Sequence, residues 1–396
     1  MAKLQKIPPE LWGLSSLRYI ELTAEAIEQA LNDWAPPSSG AGVLALLPEA
    51  EKEQLPLLQS ACSRRGIALV GGIFPALIER QGFSKKGAWL LYFDQMPPHF
   101  LLPAINVEGR PAVDRLVSAA LSGWKSYPAD APKPTLFMIF DGMLPNIASI
   151  LDELYLELSN RVEYAGVNAG SETFQPMPCL FDASQVVGDG VLALLLPGNM
   201  APVLEHGFRQ PEHAMSATST EGNRIATIDW RPAFDVYQEI IKAQYGIALT
   251  RENFYEYAVH FPVGILRANG AVVVRIPVAL ADDGSLFCVG EIPENSMLVL
   301  LQAPEAGANA CIAHLAENLR GIHGDLAGAQ LLTFYCAGRR MHLGQGAEKE
   351  LAELHMATGV GEMAGALSLG EIGSTVRWGY PMFHNATLVC SPWRLA

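Results

Sequence analysis

The chain has 396 residues, half of them hydrophobic and 17% charged, with 27 Lys plus Arg against 41 Asp plus Glu and a formal charge of -14 at pH 7. So apolar a composition excludes disorder, and the acidic balance leaves no electrostatic footprint for nucleic acid or an anionic membrane surface. At roughly 150 residues per domain the length suggests two domains or one duplicated unit.

The N-terminal MAKLQKIPPELWGL places two prolines and a glutamate where a secretory signal needs an unbroken apolar stretch. The apolar stretch near residues 190 to 203 contains Pro197 and Asn199, and none reaches the ~18 residues of a membrane-spanning helix. Membrane insertion is therefore not expected. Six cysteines (Cys62, Cys179, Cys288, Cys311, Cys336, Cys390) lie far apart without a C-x-x-C pair. They read as buried thiols of a reducing compartment, and a cytoplasmic location is expected.

Along the chain one pattern occurs three times: an apolar run, a helical stretch, a second apolar run with glycine at or near its end, then a third apolar run. The first copy is VLALL (43 to 47), a helix from about Glu49 to Arg64, IALVGG (67 to 72) and AWLLYF (88 to 93). The second is LFMIF (136 to 140), a helix from about Asn146 to Asn160, VEYAGVNAG (162 to 170) and GVLALLL (190 to 196). A polar passage, Met200 to Arg231, is the best boundary, followed by a helix over 233 to 246 with Gly246 as its C-cap. Next, VVVRIPVAL (272 to 280), Asp282-Asp283-Gly284, SLFCVGEI (285 to 292) and MLVLL (297 to 301) read as an antiparallel meander. The third copy is LLTFY (331 to 335), a helix from about Ala347 to Thr358, GALSLGEIG (365 to 373) and HNATLVC (384 to 390).

Continuous apolar strands are usually covered on both faces, so helices must flank the sheets. The expected class is α/β (mixed α+β): layered mixed β-sheets flanked by helices, internally duplicated, in two lobes.

Glycine-ended strands let backbone amides approach a ligand. If the equivalent edges share a crevice, Asn168, Ser171, Glu172 and Glu371 can line it. The densest polar chemistry is in the last copy, where Cys336, Arg339, Glu371, His384, Asn385 and Thr387 lie at or beside strand ends. An arginine fork on a carboxylate and a glutamate on an ammonium suit a zwitterionic ligand; the bland alternative is an Arg339–Glu371 ion pair tying two loops.

A Cys336 nucleophile with His384 as base is the hydrolytic alternative, without support from a G-x-S-x-G, S-x-x-K or H-E-x-x-H sequence. GAGVLA (40 to 45) and GDGVLA (188 to 193) lead into strands instead of opening helices, so neither cradles phosphate. The nine histidines show no metal-ligand spacing. One axial histidine suffices for haem, for which His206 and His213 are the weakest of candidates.

The strings FYCAGRRMHLG, GALSLGEIGS and FHNATLV, in this order and preceded by HFPVGI (260 to 265) and the meander, resemble the C-terminal half of FIST-domain proteins. Residues 42 to 198 resemble the N-terminal half more loosely, with VGGIF at 70 to 74 where the family commonly has a cysteine or serine followed by Thr-x-Gly-Glu. The resemblance implies an N-terminal domain over 30 to 225 and a C-terminal domain over 233 to 392. It also implies a non-enzymatic sensory protein that binds an amino acid or similar polar metabolite between its halves. With no output domain in the chain, the signal would pass to a separate partner such as a histidine kinase or a cyclic-dinucleotide signalling enzyme. Residues carried over by motif are Cys336, Gly338, Arg339, Gly370, Glu371, His384, Asn385 and Thr387. No cofactor is expected; a haem-binding nitric-oxide sensor is the alternative the resemblance leaves open.

Overall fold

A computed structural model describes residues 14–35, 39–105, 112–125, 127, 132–196, 198–209, 213–268, 270–302, 304, 310–374 and 379–394. Three repeats build its body. The first comprises β1 (Leu14–Ile20), α1 (Ala24–Trp34), β2 (Gly42–Pro48), α2 (Leu55–Arg65), β3 (Ala68–Phe74), the short hairpin β4 (Leu77–Glu79) and β5 (Gly82–Ser84), and β6 (Ala88–Phe93). The second repeats that order: β7 (His99–Leu102), α3 (Ala112–Trp124), β8 (Thr135–Asp141), α4 (Ile147–Leu158), β9 (Glu163–Ala169), β10 (Leu180–Asp182) with β11 (Val186–Val187), and β12 (Val191–Leu196).

The third repeat opens with β13 (Val203–Glu205) and is interrupted by an inserted unit. That unit holds β14 (Met215–Glu221), β15 (Arg224–Ile228), β16 (Arg231–Pro232), α5 (Ala233–Tyr245), α6 (Phe254–Ala258), β17 (Val263–Leu266), β18 (Val272–Arg275), β19 (Pro277–Leu280), β20 (Leu286–Cys288) and β21 (Met297–Leu300). The repeat then resumes with α7 (Cys311–His323), β22 (Gln330–Cys336), α8 (Ala337–Leu343), α9 (Gly346–Thr358), β23 (Glu362–Ser368), the hairpin β24 (Glu371–Gly373) and β25 (Met382–His384), and β26 (Leu388–Arg394).

In every repeat the first two apolar runs pair in parallel, with Gly42 opposite Ala68, Thr135 opposite Glu163 and Gln330 opposite Glu362. The third run returns antiparallel to the first. This register makes Gly71, Gly166 and Gly365 equivalent. A Cβ at each would lie 2.2, 2.5 and 1.6 Å from the carbonyl oxygens of Ala45, Met138 and Thr333, themselves equivalent residues. The recurrent glycine is thus a packing requirement of the parallel pair.

Each short hairpin leaves its own repeat. β10–β11 completes the sheet of the first repeat, β24–β25 that of the second and β4–β5 that of the third, giving the orders β1-β6-β2-β3-β10-β11, β7-β12-β8-β9-β24-β25 and β13-β26-β22-β23-β4-β5. The three sheets are locked by a cyclic exchange that periodicity alone does not announce.

Inward faces of the three sheets share one core, in which the Phe334 ring lies 5.9 Å from Phe74 and 6.0 Å from Phe137. Outward faces are covered by helices: α3 and α4 over the second sheet, α7 and α9 over the third. Alternate residues of one strand face the two cores, which is why the runs are apolar without a break. The inserted strands form a separate sheet with its own core under α5. Gly246 ends α5 at φ 69°, its N–H on the Lys242 carbonyl, as the sequence indicates. The polar passage from 200 to 231 is not a bare linker, since β13, β14 and β15 run through it.

No helix among the described residues is long and apolar enough to cross a membrane. All six cysteines are buried and none forms a disulfide.

Candidate functional site

In the third repeat the two parallel strands end side by side, with Cys336 opposite Ser368. The chain then turns into β24 at Glu371 and returns into β26 just after Thr387, whose carbonyl accepts the Cys336 N–H at 3.0 Å. Cys336, Ser368, Glu371 and Thr387 therefore converge, and all are buried. Ser368 Oγ donates to Glu371 Oε1 at 2.5 Å; the Thr387 hydroxyl and amide donate to Oε2 at 2.5 and 3.4 Å. Burial pushes the Glu371 carboxyl up to about 7, against the opposing pull of the Ser368, Thr387 and Cys336 donors.

Register in the exchanged hairpin places His384 directly opposite Glu371, so both side chains project from one face. His384 is completely buried and neither ring nitrogen has a hydrogen-bond partner. Burial holds it well below the usual imidazole value, reinforced by His206, Arg275 and Arg267. His206 is half-buried, accepts the Phe208 amide on Nδ1 at 3.0 Å, and is pushed down to about 4 by burial and by Arg339. Asn385 donates from Nδ2 to the His384 carbonyl at 3.1 Å, while its buried Oδ1 has no partner. Ala386, at φ 55°, makes the turn that returns Thr387 to Glu371.

Arg339 does not pair with Glu371. Its Nε and Nη2 fork onto Glu350 at 2.8 and 2.7 Å, and the Tyr335 hydroxyl adds a third donor to that carboxylate at 2.7 Å. Nη1 reaches the carbonyls of His206 at 2.6 Å and Ala386 at 3.3 Å. Every nitrogen of the guanidinium is thus engaged, bracing the His384–Thr387 turn from behind. Burial opposes the charge, but the Glu350 bonds raise Arg339 above its ordinary value. Glu350 escaped the motif reading although it sits on the buried face of α9, with Ala347, Leu351 and Leu354 at helical spacing. A carboxylate on an apolar stripe was the available signal. Ser368 lay inside the recognised string GALSLGEIG.

Asn168, on β9, donates its N–H to the Gly370 carbonyl at 2.9 Å and accepts the Leu369 N–H at 3.0 Å. Val167 lies opposite Glu371, so the pleat turns Asn168 to the other face of the sheet, where its amide is buried without a partner near Gly370 and Phe383. Gly370, at φ 158°, has no room for a Cβ, which would meet the Phe383 ring at 2.3 Å. Ser171 bonds Thr173 at 2.8 Å, and Glu172 pairs with Lys85 at 3.1 Å and Arg340 at 3.9 Å. Neither joins the Glu371 cluster through a hydrogen bond.

Cys336 does not form a nucleophilic pair with His384, whose nitrogens accept nothing. Its thiol is pushed strongly up by burial and by Glu371, with backbone amides of Arg339, Ala386 and Gly338 opposing. Such a thiol is a poor nucleophile. Haem has no room at His384. His384 is enclosed, and the cavity between the second and third sheets, lined by Phe137, Phe334 and Cys390, holds about 20 Å³, whereas cofactor pockets run to roughly 300 Å³ or more. No group of three or more His, Cys, Asp or Glu among the described residues is arranged for a metal ion.

Comparison with known families adds identity to this geometry. The FIST N domain matches residues 25–231 and the FIST C domain residues 233–374. No curated protein matches the chain. The Glu371 cluster falls across the end of the second match, with His206 supplied from within the first. Because the N-domain match alone spans more than half the chain and the C-domain match follows it directly, the chain belongs to the FIST-domain family.

Proposed function

We infer that this protein is a sensory module that binds a small polar ligand, an amino acid or similar metabolite, where the two FIST segments meet at the exchanged hairpin. FIST domains are associated with sensory signal transduction, which supplies the class of function. One observation carries the site. Both ring nitrogens of His384 and Oδ1 of Asn385 are buried without partners beside a carboxyl poised near neutrality. Buried polar groups are nearly always satisfied, and each orphan costs about 1–3 kcal/mol. A ligand that supplies the missing partners recovers that cost on binding.

The exchange gives binding a way out of the site. Glu371 and His384 belong in sequence to the third repeat, yet their hairpin is the edge of the second repeat's sheet. A ligand that shifts this hairpin acts on both sheets. The receiver is a separate cytoplasmic protein, a histidine kinase or a cyclic-dinucleotide enzyme.

Titration calorimetry of the twenty amino acids against wild type and His384→Leu tests the reading. It expects at least one ligand that binds wild type and is weakened about tenfold or more in the variant. Equal affinities, or no heat with any of them, would sink it.

A further inference from the structure

The inserted sheet meets the exchanged hairpin at β25. Arg275, at the end of β18, is completely buried there. Its Nε donates to the Glu291 carbonyl at 3.0 Å, and its Nη1 to the carbonyls of Val274 at 3.1 Å and Phe383 at 2.7 Å. The guanidinium sits 5.3 Å from the centroid of the Phe383 ring. Gly290, at φ 88°, permits this approach, since a Cβ there would stand 2.7 Å from that ring and 3.2 Å from Arg275 Nε.

Carbonyls accept from Nε and Nη1 of Arg275 but do not balance its charge, and a buried cation without a counter-ion is costly. No described carboxylate forms an ion pair with it. Glu291 and Asp152 offset part of its charge without forming an ion pair with it. Glu291 holds the Ser149 amide at 2.9 Å and the Ser149 hydroxyl, and Asp152 holds the Tyr380 hydroxyl.

Two further nitrogen groups flank this edge of the hairpin. In the β17–β18 hairpin Val263 pairs with Arg275 and Ile265 with Val273, and the Arg267 N–H bonds the Ala271 carbonyl at 2.9 Å. Alternation then puts Arg267 on the same face as Arg275. Arg267 is half-buried, and its Nε is buried without a partner. The residue after Phe383 is His384, whose two unpartnered nitrogens project from the opposite face of the edge strand β25 to the Phe383 ring. His206, Arg275 and Arg267 all act on His384 with one sign of charge, and burial keeps the imidazole neutral.

We propose that the seam of Arg275, Arg267 and His384 binds a small oxyanion, the acidic end of a carboxylate or phosphate ligand. Its oxygens accept hydrogen bonds from Arg267 and His384, and its charge balances Arg275. Guanidinium groups match such oxyanions in both geometry and charge. The half-buried Arg267 gives the site its side towards solvent. This rests on the small-ligand reading and adds which end of the ligand lies against the inserted sheet.

Thermal shift and titration calorimetry, at constant ionic strength in chloride, test it with acetate, inorganic phosphate, glycine and glycinamide. The proteins are wild type, Arg267→Gln and Arg267→Lys, with circular dichroism to verify the fold. Arg275 is left intact because its removal from the interior threatens folding. Expected is binding of acetate or phosphate to wild type, weakened about tenfold or more by Arg267→Gln and partly recovered by Arg267→Lys, with glycinamide inert. Acetate alone identifies a carboxylate site, phosphate alone a phosphate site. Anions that bind wild type and Arg267→Gln equally overturn the seam. Glycine binding with neither acetate nor phosphate binding overturns it too, while leaving the small-ligand reading intact. A protein that answers to none of the four probes refutes the oxyanion site; the full amino-acid panel then decides the small-ligand reading independently.

Discussion

Replacing Glu371 with glutamine isolates one buried proton. Glu371→Gln keeps the shape and can still accept from Thr387 while donating to Ser368, so the fold is retained. In the native protein burial raises this carboxyl from its ordinary value of 4.5 to about 7. Between those values the folded chain holds a proton that the unfolded chain has released. Stability due to Glu371 is therefore full below about pH 4.5 and lost as pH rises towards 7. At about 1.4 kcal/mol per unit, the loss between pH 5 and pH 8 comes to roughly 2–3 kcal/mol. His206, His384, His260 and His342 lie below their ordinary values, chiefly through burial, and slope the opposite way, losing stability as pH falls below about 6.5. They are common to both proteins, so the wild type minus variant difference cancels them. Urea unfolding at pH 5, 6, 7 and 8 measures that difference. Wild type should lose about 2–3 kcal/mol relative to Glu371→Gln across the range. A pH-independent difference would mean that Glu371 is an ordinary ionised carboxylate and would refute the reasoning.

Two further outcomes follow from the packing. Glu350→Gln leaves the buried Arg339 guanidinium without its counter-charge and should cost about 3–5 kcal/mol in denaturant unfolding, whereas the apolar double variant Arg339→Met, Glu350→Leu recovers most of it. A loss within about 1 kcal/mol for Glu350→Gln alone would remove the pair from its structural role. Gly365→Ala sets a Cβ 1.6 Å from the Thr333 carbonyl oxygen at φ 152° and should abolish stable folding. Gly66→Ala, at φ 66° with nothing within 4 Å, should cost only about 1 kcal/mol on the same assay. Similar costs at the two positions would contradict the close approach of β22 and β23.

How much of the site was legible depended on whether its contacts run along the chain. Cys336, Glu371, His384, Asn385 and Thr387 were visible because they cluster at the ends of apolar runs within one repeat. Arg339 was visible, but not its partner, because Glu350 lies eleven residues on and helix α9 carries it back. Asn168 was legible as a strand-end residue; its turning away from Glu371 was not, since only the β9–β24 register assigns the face. Arg275 read as an unremarkable member of the meander and Arg267 lay outside every motif, and only the packing of the inserted strands against β25 brings Arg275 to the exchanged hairpin.

By itself the sequence determined the local order of this protein: three copies of an apolar strand, a covering helix and two further apolar strands, because unbroken apolar runs must be buried on both faces and glycine must stand where two backbones approach. The tertiary structure alone decided which repeat each hairpin completes and which charges end up without partners. Those are contacts between segments far apart in the chain, selected by the shared core of three sheets, and nothing in the spacing of residues along one segment encodes its neighbour in space.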